Sequence, residues 1–181
     1  AHHEICFNEI VYSRNPYGFS SAAKVFKKKE ENFITIMTSK GDFYVPHKDV
    51  KSNKETIERW KVVMSKASAE HAGQVDKDGR RKIVSRTEIL PPNKICSESY
   101  LLIDVFQTKR EAENLLSYIK TRFFRYLLST ILLTQNISKD KFQFVPLQDF
   151  SHPWTDEMLY KKYGLDEKEI AFIESMIRPM E

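Results

Sequence analysis

The 181-residue chain has few glycines, few cysteines and no long apolar run, and each shortage excludes a class of function. Its five glycines stand at positions 18, 41, 73, 79 and 164. They are too far apart to build the glycine-rich turn with which a doubly wound sheet binds a methyl donor. No apolar stretch approaches the roughly 18 residues of a transmembrane helix, and no secretory signal pattern is present. The sequence therefore predicts neither a methyltransferase domain nor a membrane protein.

The two cysteines lack the spacing of a metal site. Cys6 and Cys96 lie among apolar residues, and neither has a CxxC partner or a neighbouring histidine at ligand spacing. The histidines at positions 47, 71 and 152 are scattered as well. The sequence thus predicts no metal site and buried, reduced thiols, which are typical of a cytoplasmic protein.

Catalytic patterns are incomplete. No serine stands in a Gly-x-Ser-x-Gly elbow, and the acids of "SESYLLID" are more simply explained as strand-end residues than as magnesium ligands. Asn15-Pro16-Tyr17 is one proline short of the Asn-Pro-Pro-Tyr signature of enzymes that methylate the exocyclic amine of adenine in DNA. Because the second proline and the donor-binding turn are missing, we predict no catalytic residue and no cofactor in this chain.

The net charge of +4 conceals an uneven distribution. Residues 146–181 have four basic and eight acidic residues, so residues 1–145 have 25 basic and 17 acidic residues, a charge of +8. A basic body with an acidic C-terminal piece indicates a polyanionic partner for the body. A lysine-rich, solvated surface is the alternative interpretation.

Two basic loops contain the candidate DNA-binding residues, because arginine can pair with guanine, asparagine with adenine, and lysine with phosphate. The candidates are Arg14, Asn15, Tyr17, Lys27, Lys28 and Lys29 in the first loop, and Lys66, Lys77, Arg80, Arg81 and Arg86 in and beside the second. We predict Arg14 and Arg86 as base readers and Lys28, Arg80 and Arg81 as phosphate contacts. Both loops are expected to project from one edge of one sheet and to form a positive cleft. Solvated charge on loop tips is the other interpretation.

β-branched and aromatic runs predict strands, and capping patterns predict helices. The expected strands are 5–12, 32–39, 43–46, 61–68, 82–90 and 95–106, with 141–150 extended. A short helix is expected at 52–60, capped by Ser52. Thr108 and Glu111 predict the start of one long helix at about 109–132, with Leu115, Ile119, Phe123 and Leu127 buried along one face. On its other side, Arg122 and Arg125 are expected to form salt bridges.

The C-terminal part predicts two short helices. Thr155 is expected to cap the first, and Asp166 with Glu169 the second. Strands that precede helices indicate an α+β fold, with a small mixed or antiparallel sheet, one long packing helix and a C-terminal helix pair. We divide the chain into a body, residues 1–145, and an acidic helical extension, residues 146–181, packed on it.

The end of the chain has the most specific pattern. "FVPLQDFSHPWTDEMLYKKYGLDEKEIAFIESMIRPM" resembles the C-terminal signature of bacterial type II restriction–modification proteins that are adenine-specific DNA methyltransferases. Four earlier segments are similar to the same group, so the resemblance spans nearly the whole chain. They are "NPYGFSS", "WKVVMSKASAEHAG", "ICSESYLLIDVF" and "EAENLLSYIKTRFFRYLLS".

The resemblance implies that this chain is a target recognition domain. Such a domain reads double-stranded DNA without catalysing a reaction. The methyltransferase domain, with its S-adenosylmethionine site, would lie upstream in a longer parent protein, with or without a fused restriction endonuclease. The alternative is a docking domain that binds other subunits of a restriction–modification complex and touches DNA only incidentally.

Overall fold

Two three-stranded sheets form the β part of the fold in the computed structural model, which describes residues 4–71, 73, 76–132 and 136–181. The strands are Phe33–Thr38 (β1), Gly41–Pro46 (β2), Trp60–Ser65 (β3), Thr87–Leu90 (β4), Lys94–Cys96 (β5) and Tyr100–Phe106 (β6). In the first sheet, ordered β2-β1-β5, β1 runs antiparallel to β2 and parallel to β5. In the second sheet, ordered β4-β3-β6, β3 runs antiparallel to both neighbours.

The second sheet lies between the first sheet and a layer of helices. Side chains of a strand alternate between its two faces, and those of β3 and β6 divide accordingly. Val62, Met64, Leu101 and Ile103 join a core cluster with the helices. Val63 and Leu102 join a separate cluster with Ile34, Ile36 and Met37 of the first sheet. The molecule is therefore a three-layer α+β structure, and the predicted fold class is confirmed.

Four helices cover the outer face of the second sheet. They are Lys109–Lys120 (α1), Arg122–Ser129 (α2), Asp156–Lys162 (α3) and Glu167–Met176 (α4). Shorter 3-10 helices occupy Phe7–Glu9, His47–Asp49, Lys54–Thr56 and Lys139–Phe142. In the described part of the chain, no helix combines the length and the apolar character needed to cross a membrane.

The long helix predicted at 109–132 is interrupted at Thr121. This residue has extended backbone angles, φ −63° and ψ 151°. Its hydroxyl donates to the carbonyl oxygen of Tyr118 at 2.7 Å and accepts from the backbone N–H of Phe124 at 3.1 Å. Thr121 therefore ends α1 and caps α2 at once, and the segment is two helices, not one.

The predicted buried face is confirmed at three of its four positions. Leu115, Ile119 and Phe123 are buried in the helical core cluster. Leu127 is only partly buried, because the break at Thr121 turns α2 so that Phe124 and Leu128 face the core instead.

The salt bridge predicted for Arg122 is confirmed, whereas Arg125 forms none among the described residues, so its prediction is wrong. Arg122 forms a salt bridge with Glu174 of α4 at 3.4 Å. Arg125 is fully buried, with 0% of its surface exposed. Its guanidinium donates to the carbonyl oxygens of Lys120, Thr121 and Lys82 at 3.0–3.2 Å. It thereby ties the α1–α2 junction to the segment that precedes β4.

Several other predicted elements are absent or shorter. In place of the strand 5–12, the chain has one bridge, from Cys6 to Pro146, and then a 3-10 turn that buries Phe7. The helix predicted at 52–60 is reduced to the 3-10 turn Lys54–Thr56, because Asn53 is left-handed with φ 55° and Ser52 caps nothing. The segment 141–150 is largely irregular. Residues 82–86 form no strand, and pair with the neighbouring chain through a bridge from Val84 to Ser68 and backbone hydrogen bonds from Ser65 and Ala69.

The C-terminal helices begin where the sequence predicts. Thr155 accepts from the N–H of Met158 at the start of α3, and Asp166 and Glu169 form a reciprocal capping box on α4. Trp154, Leu159, Tyr160, Ile173 and Ile177 belong to the same core cluster as α1 and α2. Residues 146–181 therefore pack on the body, while a domain boundary at 145 stays a prediction.

Candidate nucleic-acid interface

The Asn-Pro-Tyr sequence forms a tight turn that is anchored to a distant segment. Asn15 is left-handed, with φ 54°, and its carbonyl oxygen accepts from the N–H of Gly18 at 3.3 Å. The carbonyl oxygen of Pro16 accepts two hydrogen bonds, from Ser52 Oγ at 2.7 Å and Asn53 Nδ2 at 2.6 Å. The turn is thus fixed in place, and Arg14 stands exposed just before it.

Tyr17 belongs to the core between the two sheets, so its prediction as a DNA contact is wrong. Its side chain is 0% exposed, its hydroxyl pairs with Thr56 Oγ1 at 2.6 Å, and burial raises its pKa. Asn15 is partly buried, and its Oδ1 is fully buried without a hydrogen-bond partner among the described residues. A bidentate contact from Asn15 to adenine would require its side chain to turn outwards first.

Arg14 and Lys66 line one cavity at the end of β3, where β4 and β6 begin. Lys66 directly follows β3, and its N–H donates to the carbonyl oxygen of Ser99 at 3.2 Å. The last residue of β3, Ser65, donates to the carbonyl oxygen of Arg86 at 2.9 Å. Partial burial lowers the pKa of Lys66, and the nearby guanidinium of Arg14 lowers it further. The fold thus brings together two residues that the sequence predicted as DNA contacts, whereas Arg86 does not line that cavity.

A groove of about 530 Å³ lies between Arg14 and Lys66 and is here called the Arg14 groove. Its polar lining includes Arg14, Ser21, Lys66, Glu98, Ser99 and Lys139. Glu98 accepts a hydrogen bond from the N–H of Ser21 at 2.9 Å. That bond lowers the pKa of Glu98, and Arg14 and Lys66 add to the effect. Arg14, Lys66 and Lys139 outnumber the two carboxylates of the lining, Glu98 and Asp140, so the groove has an excess of one positive charge.

Sequence reasoning missed three of the groove's charged residues, Glu98, Lys139 and Asp140. Lys139 begins the 3-10 helix Lys139–Phe142 and reaches the groove because the N–H of Ile137 donates to the carbonyl oxygen of Lys66 at 2.7 Å. Glu98 lies in the turn between β5 and β6. The local sequences "SKDK" and "SES" look like ordinary loops, so the sequence alone had no signal for these residues.

Arg86, predicted as a base reader, is already engaged within the protein. Its Nε and Nη2 donate to one oxygen of Glu88 at 3.2 and 3.1 Å. Its Nη1 donates to the hydroxyl of Tyr100 at 3.1 Å. About half of the Arg86 side chain is exposed, so the ion pair can be solvated. A contact from Arg86 to guanine would have to replace the bond to Glu88.

The second basic loop does not face the first. The backbone of Arg81 pairs with Met176 and Arg178 at 2.8 and 3.1 Å, at the end of α4. The intervening residue, Ile177, lies in the helical core cluster, whereas Tyr17 and Phe19 lie in the cluster between the sheets. The two loops thus pack on opposite sides of the second sheet. The prediction that they form the walls of a single cleft is wrong.

The remaining candidates lie outside the groove. Lys77 is exposed, and Arg80 pairs with Asp78 of its own loop at 2.9 Å. Lys27, Lys28 and Lys29 are exposed next to Phe26, which pairs with Tyr44 at the outer edge of β2. The second loop is held in the helical layer because Ser68 pairs with Val84 and the N–H of Ala69 donates to Ile83. These residues share no site with Arg14.

A second cavity, of about 420 Å³, shares Lys139 with the Arg14 groove and is lined by Asp104. Burial, with a smaller contribution from the charge of Glu111, raises the pKa of Asp104 to about 6. Between about pH 4 and 6 the folded protein therefore binds more protons than the unfolded chain, so the free energy of unfolding falls as pH rises.

Asp104→Asn should remove this fall in the free energy of unfolding with rising pH. We expect the variant to be more stable than the unmodified protein by roughly 1–3 kcal/mol at pH 8 and to lose the advantage near pH 4. Urea unfolding at several pH values measures this. Asp49→Asn, at an exposed position, is the control and should leave the profile unchanged. An Asp104→Asn protein with the original pH profile would contradict the raised pKa.

We also searched the described residues for a metal site and for reactive cysteines. No group of three or more histidine, cysteine, aspartate or glutamate side chains in residues 4–71, 73, 76–132 and 136–181 is arranged to hold a metal ion. Both cysteines are free thiols. Cys96 is buried, and burial raises its pKa to about 12, whereas Cys6 is partly exposed.

We compared the chain with models of protein families and with curated protein sequences. No protein-family model matches this chain, and no curated protein sequence is similar to it. The resemblance to target recognition domains therefore rests on the sequence motifs alone.

Proposed function

We propose that this chain is a non-catalytic, cytoplasmic domain that recognises double-stranded DNA. It would serve a restriction–modification adenine methyltransferase, whose catalytic domain and S-adenosylmethionine site lie elsewhere in the parent protein. The observation that supports the proposal most is the meeting of Arg14 and Lys66 in one groove, from segments about 50 residues apart. Charge placed together in this way attracts a polyanion.

The charge distribution supports the same proposal. The basic excess lies in residues 1–145, which contain the Arg14 groove, and the acidic excess lies in residues 146–181. Phosphate contacts give most of the affinity of a DNA-binding protein, while base contacts give its specificity. Arg14 is exposed and forms no salt bridge among the described residues, so its guanidinium has donors available for DNA.

The environment of Asn15-Pro16-Tyr17 supports a non-catalytic role. In adenine methylation the corresponding asparagine and proline carbonyl accept hydrogen bonds from the target amine, and the aromatic ring stacks on the base. Here two donors already occupy the Pro16 carbonyl, and the Tyr17 ring lies in the core. We propose that the segment serves as a rigid turn that holds Arg14 at the rim of the groove.

A paired comparison of charge variants tests the proposal. Arg14→Ala with Lys66→Ala should weaken binding to a pool of random-sequence duplexes and flatten the log–log salt slope by about one unit, because the two cations share one groove. The matched control is Lys161→Ala with Lys168→Ala, which removes the same charge at exposed positions outside the groove. We expect the control to bind within about twofold of the unmodified protein. Equal losses in both double variants would reduce the effect to net charge and contradict a localised interface.

Exposed apolar side chains favour a second candidate, the docking domain. Phe144 is 62% exposed and Phe172 54% exposed, both on the helical side of the molecule. Phe144 lines a cavity of about 410 Å³ with Phe123, Leu127 and Tyr163. Large exposed apolar groups often mark protein contacts. Under this alternative the chain binds no duplex at low salt, and Phe144→Ser reduces binding to a protein subunit of the system.

A further inference from the structure

We infer that the Arg14 groove is a binding site for a single phosphate group, and that Glu98 acts there as an internal competitor which the phosphate displaces. The inference rests on the proposed function only for the source of the phosphate, a DNA backbone diester. The site itself follows from the geometry of the groove and holds for a free phosphate as well.

The cations of the groove come from three separate parts of the chain. Arg14 precedes the left-handed turn at Asn15, Lys66 follows β3, and Lys139 begins a 3-10 helix. A solvated charge run would put its cations next to each other in sequence. These three residues meet only because the backbone of Lys66 pairs with Ser99 on one side and Ile137 on the other. The groove is therefore a product of the tertiary fold.

Held together, like charges cost free energy unless an anion lies between them. The cost is visible at Lys66, whose pKa is lowered by partial burial and then by Arg14. Glu98 is the carboxylate that offsets this charge inside the groove. The other carboxylate, Asp140, is already bonded to Ser138 and paired with Lys141 at 3.4 Å. The groove thus has three cations against two carboxylates, an excess of one positive charge, and Glu98 is the carboxylate on which Arg14 and Lys66 act.

The remaining lining fits a phosphate. Ser21 and Ser99 line the groove beside the cations. The Ser21 side chain bonds to Glu98, so it becomes a donor for a phosphate oxygen once that carboxylate is displaced. The groove of about 530 Å³ can take a phosphate with part of its flanking sugars. It is much smaller than a duplex, whose major groove alone is about 12 Å wide, so DNA would lie across the opening and insert one phosphate.

Glu98→Gln is the decisive variant, because it should improve binding. Removing the competing carboxylate should tighten inorganic phosphate binding about three- to tenfold, measured by amide chemical-shift titration at constant ionic strength. The shifts should concentrate at Arg14, Ser21, Lys66, Ser99 and Lys139. Glu167→Gln, an equal charge change on the exposed start of α4, should leave the affinity unchanged. Arg14→Ala with Lys66→Ala should abolish the shifts in the groove.

The outcomes separate this inference from the proposed function. Glu98→Gln that binds phosphate no better than Glu167→Gln, or shifts scattered over the surface, would overturn the phosphate site even where duplex DNA binds with a steep salt dependence. Phosphate binding in the groove without duplex binding at any salt would keep the site and overturn the proposed function. Dimethyl phosphate, a diester, distinguishes the two sources: binding similar to that of inorganic phosphate indicates a backbone phosphate, and no binding indicates a free phosphate ligand.

Discussion

Arg125→Ala should destabilise the fold by roughly 3–5 kcal/mol, because it removes a buried charge that satisfies several carbonyl groups at once. The Arg125 guanidinium donates to the carbonyl oxygens of Lys120 and Thr121, at the break between α1 and α2. It also donates to Lys82, in a segment 43 residues away in sequence. Burial lowers the pKa of Arg125 to about 10, so the side chain remains charged at neutral pH.

Without the arginine, buried carbonyl oxygens lose their donors and a cavity remains. Urea unfolding measures the loss. Arg125→Lys should lose less, because it keeps the charge while offering fewer donors in a different geometry. Arg110→Ala, an exposed position on α1, is the control and should stay within about 0.5 kcal/mol. A loss below about 1 kcal/mol for Arg125→Ala would contradict the bonding at the helix junction.

Ile119→Ala should cost roughly 2–5 kcal/mol of stability. Ile119 is 0% exposed and lies on α1, which packs across β3, β4 and β6. The lost methyl groups contact the core between the helices and the second sheet, where neighbouring side chains cannot close the space completely.

Leu116→Ala is the matched control for Ile119→Ala, because Leu116 lies on the same helix and is only partly buried. We expect it to lose clearly less, and urea unfolding of both variants gives the comparison. A loss below about half a kcal/mol for Ile119→Ala would mean that this face of α1 does not form the core.

Elements with local signals were predicted well. The caps at Thr155 and Asp166 depend on side chains within four residues of each other, and both are present. The strands β1, β2 and β3 follow from runs of β-branched and aromatic residues between turn residues. The helix break at Thr121 was missed because apolar residues recur at helical spacing straight through it, and periodicity does not report a change of direction.

Elements fixed by distant contacts were not predictable in the same way. Phe7 lies in a strand-like run, but it packs against Tyr118, Phe124 and Phe142, and its backbone bonds to Val145. These contacts span more than 100 residues. They favour a short 3-10 turn over a regular strand, although the local sequence indicates the opposite.

Buried basic side chains are a second feature that the sequence does not predict. Arg125 and Lys61 are both 0% exposed. The Lys61 ammonium donates to four carbonyl oxygens, the closest being that of Arg59 at 2.6 Å, and burial lowers the pKa of Lys61 to about 8. Lysine and arginine are rarely fully buried, so sequence patterns place them at the surface by default. Only the carbonyl acceptors, gathered from several segments, make their burial favourable.

The candidate site could be predicted from the sequence only in part. Arg14 and Lys66 were identified because each stands in a basic loop, and the fold brings them together. The loop with Lys77, Arg80 and Arg81 has the same composition but packs on the other side of the second sheet. Composition therefore found the charged loops, whereas strand pairing decided which of them share a site.

The salt dependence of duplex binding by the unmodified chain tests the central claim most directly. A domain that neutralises four to six backbone phosphates should show a log–log slope of about −4 to −5 between roughly 50 and 200 mM salt. Fluorescence anisotropy with a labelled duplex measures both affinity and slope. We expect clear binding at 50 mM salt and a slope in that range. Absence of binding at the lowest salt, or binding with a slope near zero, would contradict a DNA-recognition domain and favour the docking alternative.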